Sequence, residues 1–248
     1  MTGPLQRIIR AKEHLDILDS EIRDFLASDF CRIEIHDDPN SSGYIYQPYL
    51  LKRIPIIWGI RVGEFVHNLR SALDNIAWSL AITKDNQVEF PIFIENKKSY
   101  QRKLEKLRED VRAEIEALQP YNRPDGEDRR TPLWVLHRMD NINKHRIILP
   151  SIIKFRISTT KPNEYIWFDF AITDFDKGDI VIVHSIPLSH QINFKPKMIA
   201  EILFDISSDP SIGTERIDKK DLFGTYKYIH DYVYPRFAKF LEPINGFE

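Results

Sequence analysis

The sequence predicts an α+β protein: a mainly helical N-terminal part, then a small antiparallel sheet and a closing C-terminal helix. Three observations carry that expectation. Up to about residue 148, apolar residues recur at helical spacing over long stretches. Beyond Pro150 the texture changes to short β-branched and aromatic runs separated by turn formers. From about Asp221 the helical period returns.

The first helix is expected over Leu5–Leu26, with Leu5, Ile8, Ile9, Leu15, Leu18, Ile22 and Phe25 facing inward, ending near Ser28-Asp29. Cys31 to His36 alternates with period two, Asp37 to Gly43 is dense in turn formers, and Tyr44 to Tyr46 resumes the extended pattern. A hairpin inserted at about 31–53 follows. A long helix is expected from Trp58 to Ile82, its apolar stripe formed by Val62, Phe65, Val66, Leu69, Leu73, Ile76 and Leu80. After a short extended piece (89–93) comes a charged helix from a Ser99 cap to Leu118. Residues 119–131 read as a loop. Thr131 then caps another helix whose first residue is Pro132 and whose inward side is Leu133, Val135, Leu136, Met139 and Ile142.

Residues 151–158, 164–172, 179–186 and 199–206 read as strands of an antiparallel meander. The closing helix runs from about Asp221 to Leu241, and Pro235 should kink it. These elements divide at residue 148. Residues 1–148 form the helical part with its hairpin, residues 149–248 the sheet and last helix, and the absence of a flexible linker favours a shared core.

Composition excludes several function classes. The chain has 248 residues, 42% hydrophobic and 29% charged, as soluble globular proteins do. Its formal charge of -2 supplies no global field for nucleic acid or anionic membrane, which leaves a local basic site as the only electrostatic route to RNA. Neither a secretory leader nor an apolar run of membrane-spanning length is visible, so a cytoplasmic location without membrane contact is expected. The single cysteine, Cys31, reads as a small strand hydrophobe. Nucleotide-binding glycine loops, Gly-x-Ser-x-Gly and Cys-x-x-Cys are all missing. Glu64 and His67 have the Glu-x-x-His spacing of carboxylate-bridged metal sites, but no second such pair accompanies them; no metal and no cofactor are expected.

Candidate function lies in two helix faces. Solvated faces are usually built of Glu and Lys, as in 99–118. Opposite the stripe of the long helix stand His67, Ser71, Asp74, Asn75 and Trp78, with Asn68 and Arg70 at the edges. In the helix after Thr131 the outer side is Trp134, His137, Arg138, Asn141 and His145. Such faces line a site or a buried polar seam. On a continuous helix Arg138, Asn141 and His145 would share a stripe. A histidine beside an arginine can move protons next to a phosphate that the guanidinium holds. Lys144, His145 and Arg146 could equally complement a helix C-terminus, and Arg70 with Asp74 could be an ordinary helix pair.

The strings from Gly63 to Trp78 and from Leu133 to Arg146 resemble an uncharacterised bacterial family with an HNLRSALD-type helix followed by a DNI-x-KHR-type helix. The spacing of Arg138 and His145 also resembles the Arg-x4-6-His motif of HEPN ribonucleases, helical proteins that cleave RNA without metal, often in defence or toxin systems. Arg70 and Asn75 repeat that motif's spacing with asparagine in the histidine's place. Met139 stands where the family has a polar residue, and the sheet is an addition to an all-helical fold. The resemblance implies a metal-independent endoribonuclease. Arg138, His145, Asn141, His67, Arg70 and Asp74 are then the catalytic candidates, and Asn75, Trp78, Lys144 and Arg146 the substrate-binding ones. RNA and a second copy of the chain are the partners that reading allows. Arg129, Arg130, Lys154 and Arg156 extend the basic cluster. The rival reading is a non-catalytic intracellular interaction protein with a buried polar network between the helices.

Overall fold

A computed structural model describes residues 3–37, 39, 43–95, 98–122, 131–148, 150–158, 165–171, 184–187, 198–206 and 216–241. The chain forms two compact units. Met1–Leu18, Gly59–Ile148 and Lys220–Glu248 make a helical unit; Asp19–Trp58 and Leu149–Lys219 make a unit that holds the strands. The units are thus assembled from separated stretches: the hairpin groups with the later strands, and the closing helix with the earlier ones. The architecture is α+β, with antiparallel sheets.

The strand unit contains β1 (Cys31–Asp37), β2 (Gly43–Leu50), β3 (Pro150–Ser158), β4 (Tyr165–Ala171), β5 (His184–Pro187), β6 (Met198–Asp205) and β7 (Arg216–Asp218). The hairpin pairs Cys31 with Leu50 and Asp37 with Tyr44. The four strands expected as one meander do not all share a sheet. β3 lies between β4 and β6, whereas β5 leaves to pair with β2, giving the orders β4-β3-β6-β7 and β1-β2-β5. β5 thereby covers the open side of β2, whose backbone groups would otherwise be unpaired. The short β7 was not foreseen; it pairs Ile217, buried, with Phe204, also buried. The turn expected at 37–43 is only partly among the described residues, and 164, 172 and 179–183 of the expected strands lie outside them. So do Arg129 and Arg130, and the side chains of Cys31, Lys154 and Arg156.

In the helical unit most of the expected stripe residues are core, whereas Leu5 and Val135 are half-buried. α1 (Gly3–Ala27) begins here and buries Ile8, Ala11, Leu15 and Leu18, while Ile9 is exposed. α2 (Ile57–Ser79) buries Val62, Phe65, Val66, Leu69, Leu73 and Ile76, each at most 1% exposed. The charged helix is broken in two, α3 (Lys98–Glu105) and α4 (Glu109–Ala117). The break has a cause in the backbone. Ile82 N donates to Lys106 O (2.9 Å) and Arg108 N to Leu80 O (3.0 Å), an antiparallel bridge that pulls 106–108 out of helical register. Ser99 is inside α3 rather than its cap.

α5 (Pro132–Asn143) starts as expected, with Thr131 Oγ1 accepting from Trp134 N at 3.2 Å. The C-terminal helix comprises α6 (Lys219–Lys227), a π-helical stretch Tyr228–Val233 and α7 (Tyr234–Ala238). The irregularity sits before Pro235, where the ring would collide with the carbonyl one turn back; widening the turn relieves that collision. No helix among the described residues is long and apolar enough to cross a membrane.

Candidate functional site

The crossing of α2 and α5 depends on glycine. Asn143 Nδ2 donates to Gly63 O at 3.3 Å, and a Cβ on Gly63 would lie 2.2 Å from Asn143 Oδ1. A Cβ on Gly59 would lie 2.1 Å from the Ile148 carbonyl oxygen. This close approach brings the polar side of α2 towards that of α5. Asp140 acts on the carboxyl of Asp74, and Arg70 on the ring of His137, through their charges.

Residues 89–95 run beside these helices with no secondary structure, held by side chains. Arg70 Nη2 donates to Phe90 O (2.9 Å), and Phe90 N donates to Asp74 Oδ1 (2.9 Å), so one ion pair grips both polar groups of a residue. Arg70 Nη2 and Asp74 Oδ1 are themselves 2.9 Å apart. Gln119 grips the next turn of chain: Phe93 N donates to its Oε1 (3.0 Å), and its Nε2 donates to Pro91 O (2.9 Å). Phe90 packs edge-on against Phe237 of α7, with centroids 5.9 Å apart. Phe90 N and O, Pro91 O and Phe93 N thereby find side-chain partners in place of those a sheet would supply.

Between the strap, α3 and α5 opens a cleft of about 360 Å³. Its walls are Phe90, Ile92, Phe93 and Ile94 from the strap, Trp134 and His137 from α5, Arg70 from α2, Lys103 from α3, and Glu89 and Glu95. Lys103 Nζ donates to Glu89 and stands 5.3 Å over the Phe93 ring. The Trp134 and His137 rings are 5.5 Å apart. Arg70 is the notable wall residue. Its side chain is 7% exposed, and its Nη1 is covered and has no hydrogen-bond partner among the described residues.

Three groups here titrate away from their ordinary ranges. Burial, helped by the charge of Arg70, lowers His137 to about 4. Its Nε2 is 3.1 Å from Asn141 Nδ2; with the amide donating, the ring proton sits on Nδ1. Burial raises Asp74 even though Arg70 and the Phe90 N–H oppose it. Glu89 is lowered: burial works against this, but the Lys103 hydrogen bond and the charges of Lys103 and Arg70 prevail.

Of the expected catalytic residues, Arg70 is in the cleft wall, Asp74 lies behind it on Arg70 and Phe90 N, and Asn141 is hydrogen-bonded to His137. His67 is exposed. Arg138 is half-buried on α5, and His145 is exposed beyond the end of that helix. There the chain turns, with His145 N donating to Ile142 O at 2.9 Å, so His145 leaves the helical register that the stripe with Arg138 assumed. Among the substrate-binding candidates, Asn75 is half-buried with its carbonyl accepting from Ser79 Oγ (2.9 Å), and Trp78 is 42% exposed. Lys144 pairs with the buried Asp140 at 2.7 Å, and Arg146 is half-buried at the turn.

Glu64 faces His14 of α1 at 3.1 Å, and no group of three or more His, Cys, Asp or Glu among the described residues is arranged to hold a metal. The sequence placed Trp134 and His137 on the polar side of the helix after Thr131 without their being chosen as site residues, and Glu89 and Lys103 were not singled out. The first two were legible, one turn apart on the polar side of α5. The other two meet only through folding. Comparison with protein-family models, with curated proteins and with solved structures finds no match.

Proposed function

We propose that the protein is a HEPN-like, metal-independent endoribonuclease acting on single-stranded RNA in the cytoplasm, with its chemistry in the cleft beside Arg70 and His137. The observation that supports this most is the buried guanidinium with an unmade hydrogen bond in a wall shared with a neutral histidine and a tryptophan. A neutral imidazole can accept the proton of a ribose 2′-hydroxyl, here at Nδ1 once the Asn141 amide turns so that its oxygen accepts from Nε2–H. The 2′-oxygen then attacks the adjacent phosphorus, the bond to the 5′-oxygen breaks, and that oxygen takes a proton. A 2′,3′-cyclic phosphate and a 5′-hydroxyl result, while Arg70 balances the charge that builds on phosphorus. A bound phosphodiester would also offset the effect of Arg70 on the ring and lift His137 towards neutrality, where a base works best.

The same activity placed at the end of α5 would use Arg138 and His145 instead. The rival reading, an interaction protein with a structural polar network, draws support from the grip of Arg70 and Asp74 on Phe90 and from the pairing of buried Asp140 with the exposed Lys144. The test is cleavage of an end-labelled, unstructured RNA between about pH 5 and 8. Cleavage should persist in EDTA, yield cyclic-phosphate ends, and fall roughly a hundredfold or more in His137→Ala but not in His145→Ala. Loss only in Arg138→Ala and His145→Ala would move the chemistry to the end of α5. No cleavage by the pure protein, or loss in EDTA, would leave the interaction reading.

A further inference from the structure

We propose that Arg70 and Lys103 form an anion subsite for the phosphoryl group of a nucleotide, and that the Glu89 carboxylate occupies it until the ligand displaces it. The inference rests on an RNA-directed role for this cleft, but it concerns binding and not cleavage.

Glu89 reaches both cations. Lys103 Nζ donates to its Oε1, and Arg70 Nη2 lies 3.6 Å from its Oε2. The second distance is an ion contact, too long for a hydrogen bond. The carboxylate therefore covers the guanidinium without completing its donors. Nη2 serves Phe90 and Asp74, and Nη1 serves nothing among the described residues. An unmade hydrogen bond on a covered cation is costly, and a phosphoryl group has one more acceptor oxygen than a carboxylate with which to make it.

Displacement is open to Glu89, because its side chain is already 41% exposed. With Glu89 seated, Arg70 and Lys103 are balanced by Glu89 and Asp74. With Glu89 in water, the two cations face Asp74 alone. The surplus positive charge matches one phosphate monoanion. Glu95, exposed, and His137, neutral, are the remaining titratable groups of the wall. The rest of the wall suits a base: Trp134 and Phe93 offer aromatic faces, and the cavity of about 360 Å³ is within the size range of small-ligand pockets.

The experiment is calorimetric titration of uridine 3′-monophosphate, uridine and inorganic phosphate into the wild type, Glu89→Gln, and Glu89→Gln combined with Lys103→Gln. None of these ligands is a cleavage substrate. Glu89→Gln should bind the nucleotide about tenfold more tightly than the wild type, the size expected when one competing charge pair is removed. Uridine should be unaffected, and the double variant should lose the gain. Glu89→Asp, which shortens the reach but keeps the charge, should show a smaller gain and covers the case of a poorly folded glutamine variant. Equal affinity of wild type and both Glu89 variants, or inorganic phosphate binding as tightly as the nucleotide, would overturn the assignment. RNA cleavage without any gain removes the subsite only; a gain without cleavage removes the ribonuclease only.

Discussion

Asp74 takes the N–H of Phe90 and the guanidinium of Arg70 on the same oxygen, Oδ1, in a setting where burial already disfavours its charge. Removing it leaves a buried N–H and a buried cation short of an acceptor. Asp74→Ala should therefore destabilise the protein by about 1–3 kcal/mol in urea unfolding, and Asp74→Asn, which keeps one acceptor oxygen, by less. His145→Ala should be close to neutral, since that side chain is exposed. A cost for His145→Ala equal to that of Asp74→Ala would make the histidine a structural strut. At this scale the sequence was partly legible. The atypical polarity of His67 to Trp78 marked a stretch that includes Arg70 and Asp74, which the structure sets against the main chain of Phe90, with Arg70 in the cleft wall. Which histidine faces the cleft was not legible, because His137 and His145 share one side only on an unbroken helix, and α5 ends at Asn143.

Among the elements, the α2–α5 crossing is the one on which the site depends. Gly59→Ala would drive a methyl group to 2.1 Å from the backbone carbonyl of Ile148, in the segment that follows α5, where no rotamer change helps. It should cost about 1–3 kcal/mol and lower the thermal midpoint. Gly63→Ala meets the Asn143 side chain, which can rotate at the loss of one hydrogen bond, so its cost should be smaller. Equal costs would mean that the helices simply move apart. Helix existence was readable from apolar spacing throughout, since every expected stripe residue of α2 is buried. The break between α3 and α4 was not. It is made by a backbone bridge to Leu80 and Ile82, partners remote in sequence, while the local period of Tyr100, Leu104, Leu107 and Val111 continues through it. The departure of β5 to the hairpin sheet has the same origin: strand partners are chosen by free edges, which period alone does not reveal.

For the molecule as a whole, acid stability gathers the titrations into one observable. His137 at about 4 and His14, lowered chiefly by burial, are both held neutral in the fold, whereas the unfolded chain protonates near 6.5. Between those values the unfolded state binds more protons, so stability should fall as pH drops from about 6.5 towards 4. Asp74, raised by burial, works in the opposite direction just above its ordinary value. The lowered carboxyls of Glu89 and Glu116 lose their contribution only as pH falls below the ordinary glutamate range towards their folded values. Urea midpoints measured across this window should decline in the wild type and flatten in His137→Gln. An unchanged slope in that variant would mean that the imidazole is charged in the folded protein.

The strap of residues 89–95 has a consequence for how this cleft can change over evolutionary time. A wall made from a sheet strand is specified by a ladder of main-chain bonds, and shifting it means re-registering its neighbours. Here the wall is pinned by three side chains, Arg70 and Asp74 on α2 and Gln119 just past the end of α4, and the packing of those helices is set by other residues. Each pin is a single codon. The mouth of the cleft can be widened, narrowed or re-aimed by point substitution while the apolar stripes stay intact, so ligand preference and fold can drift separately in descendants of this chain.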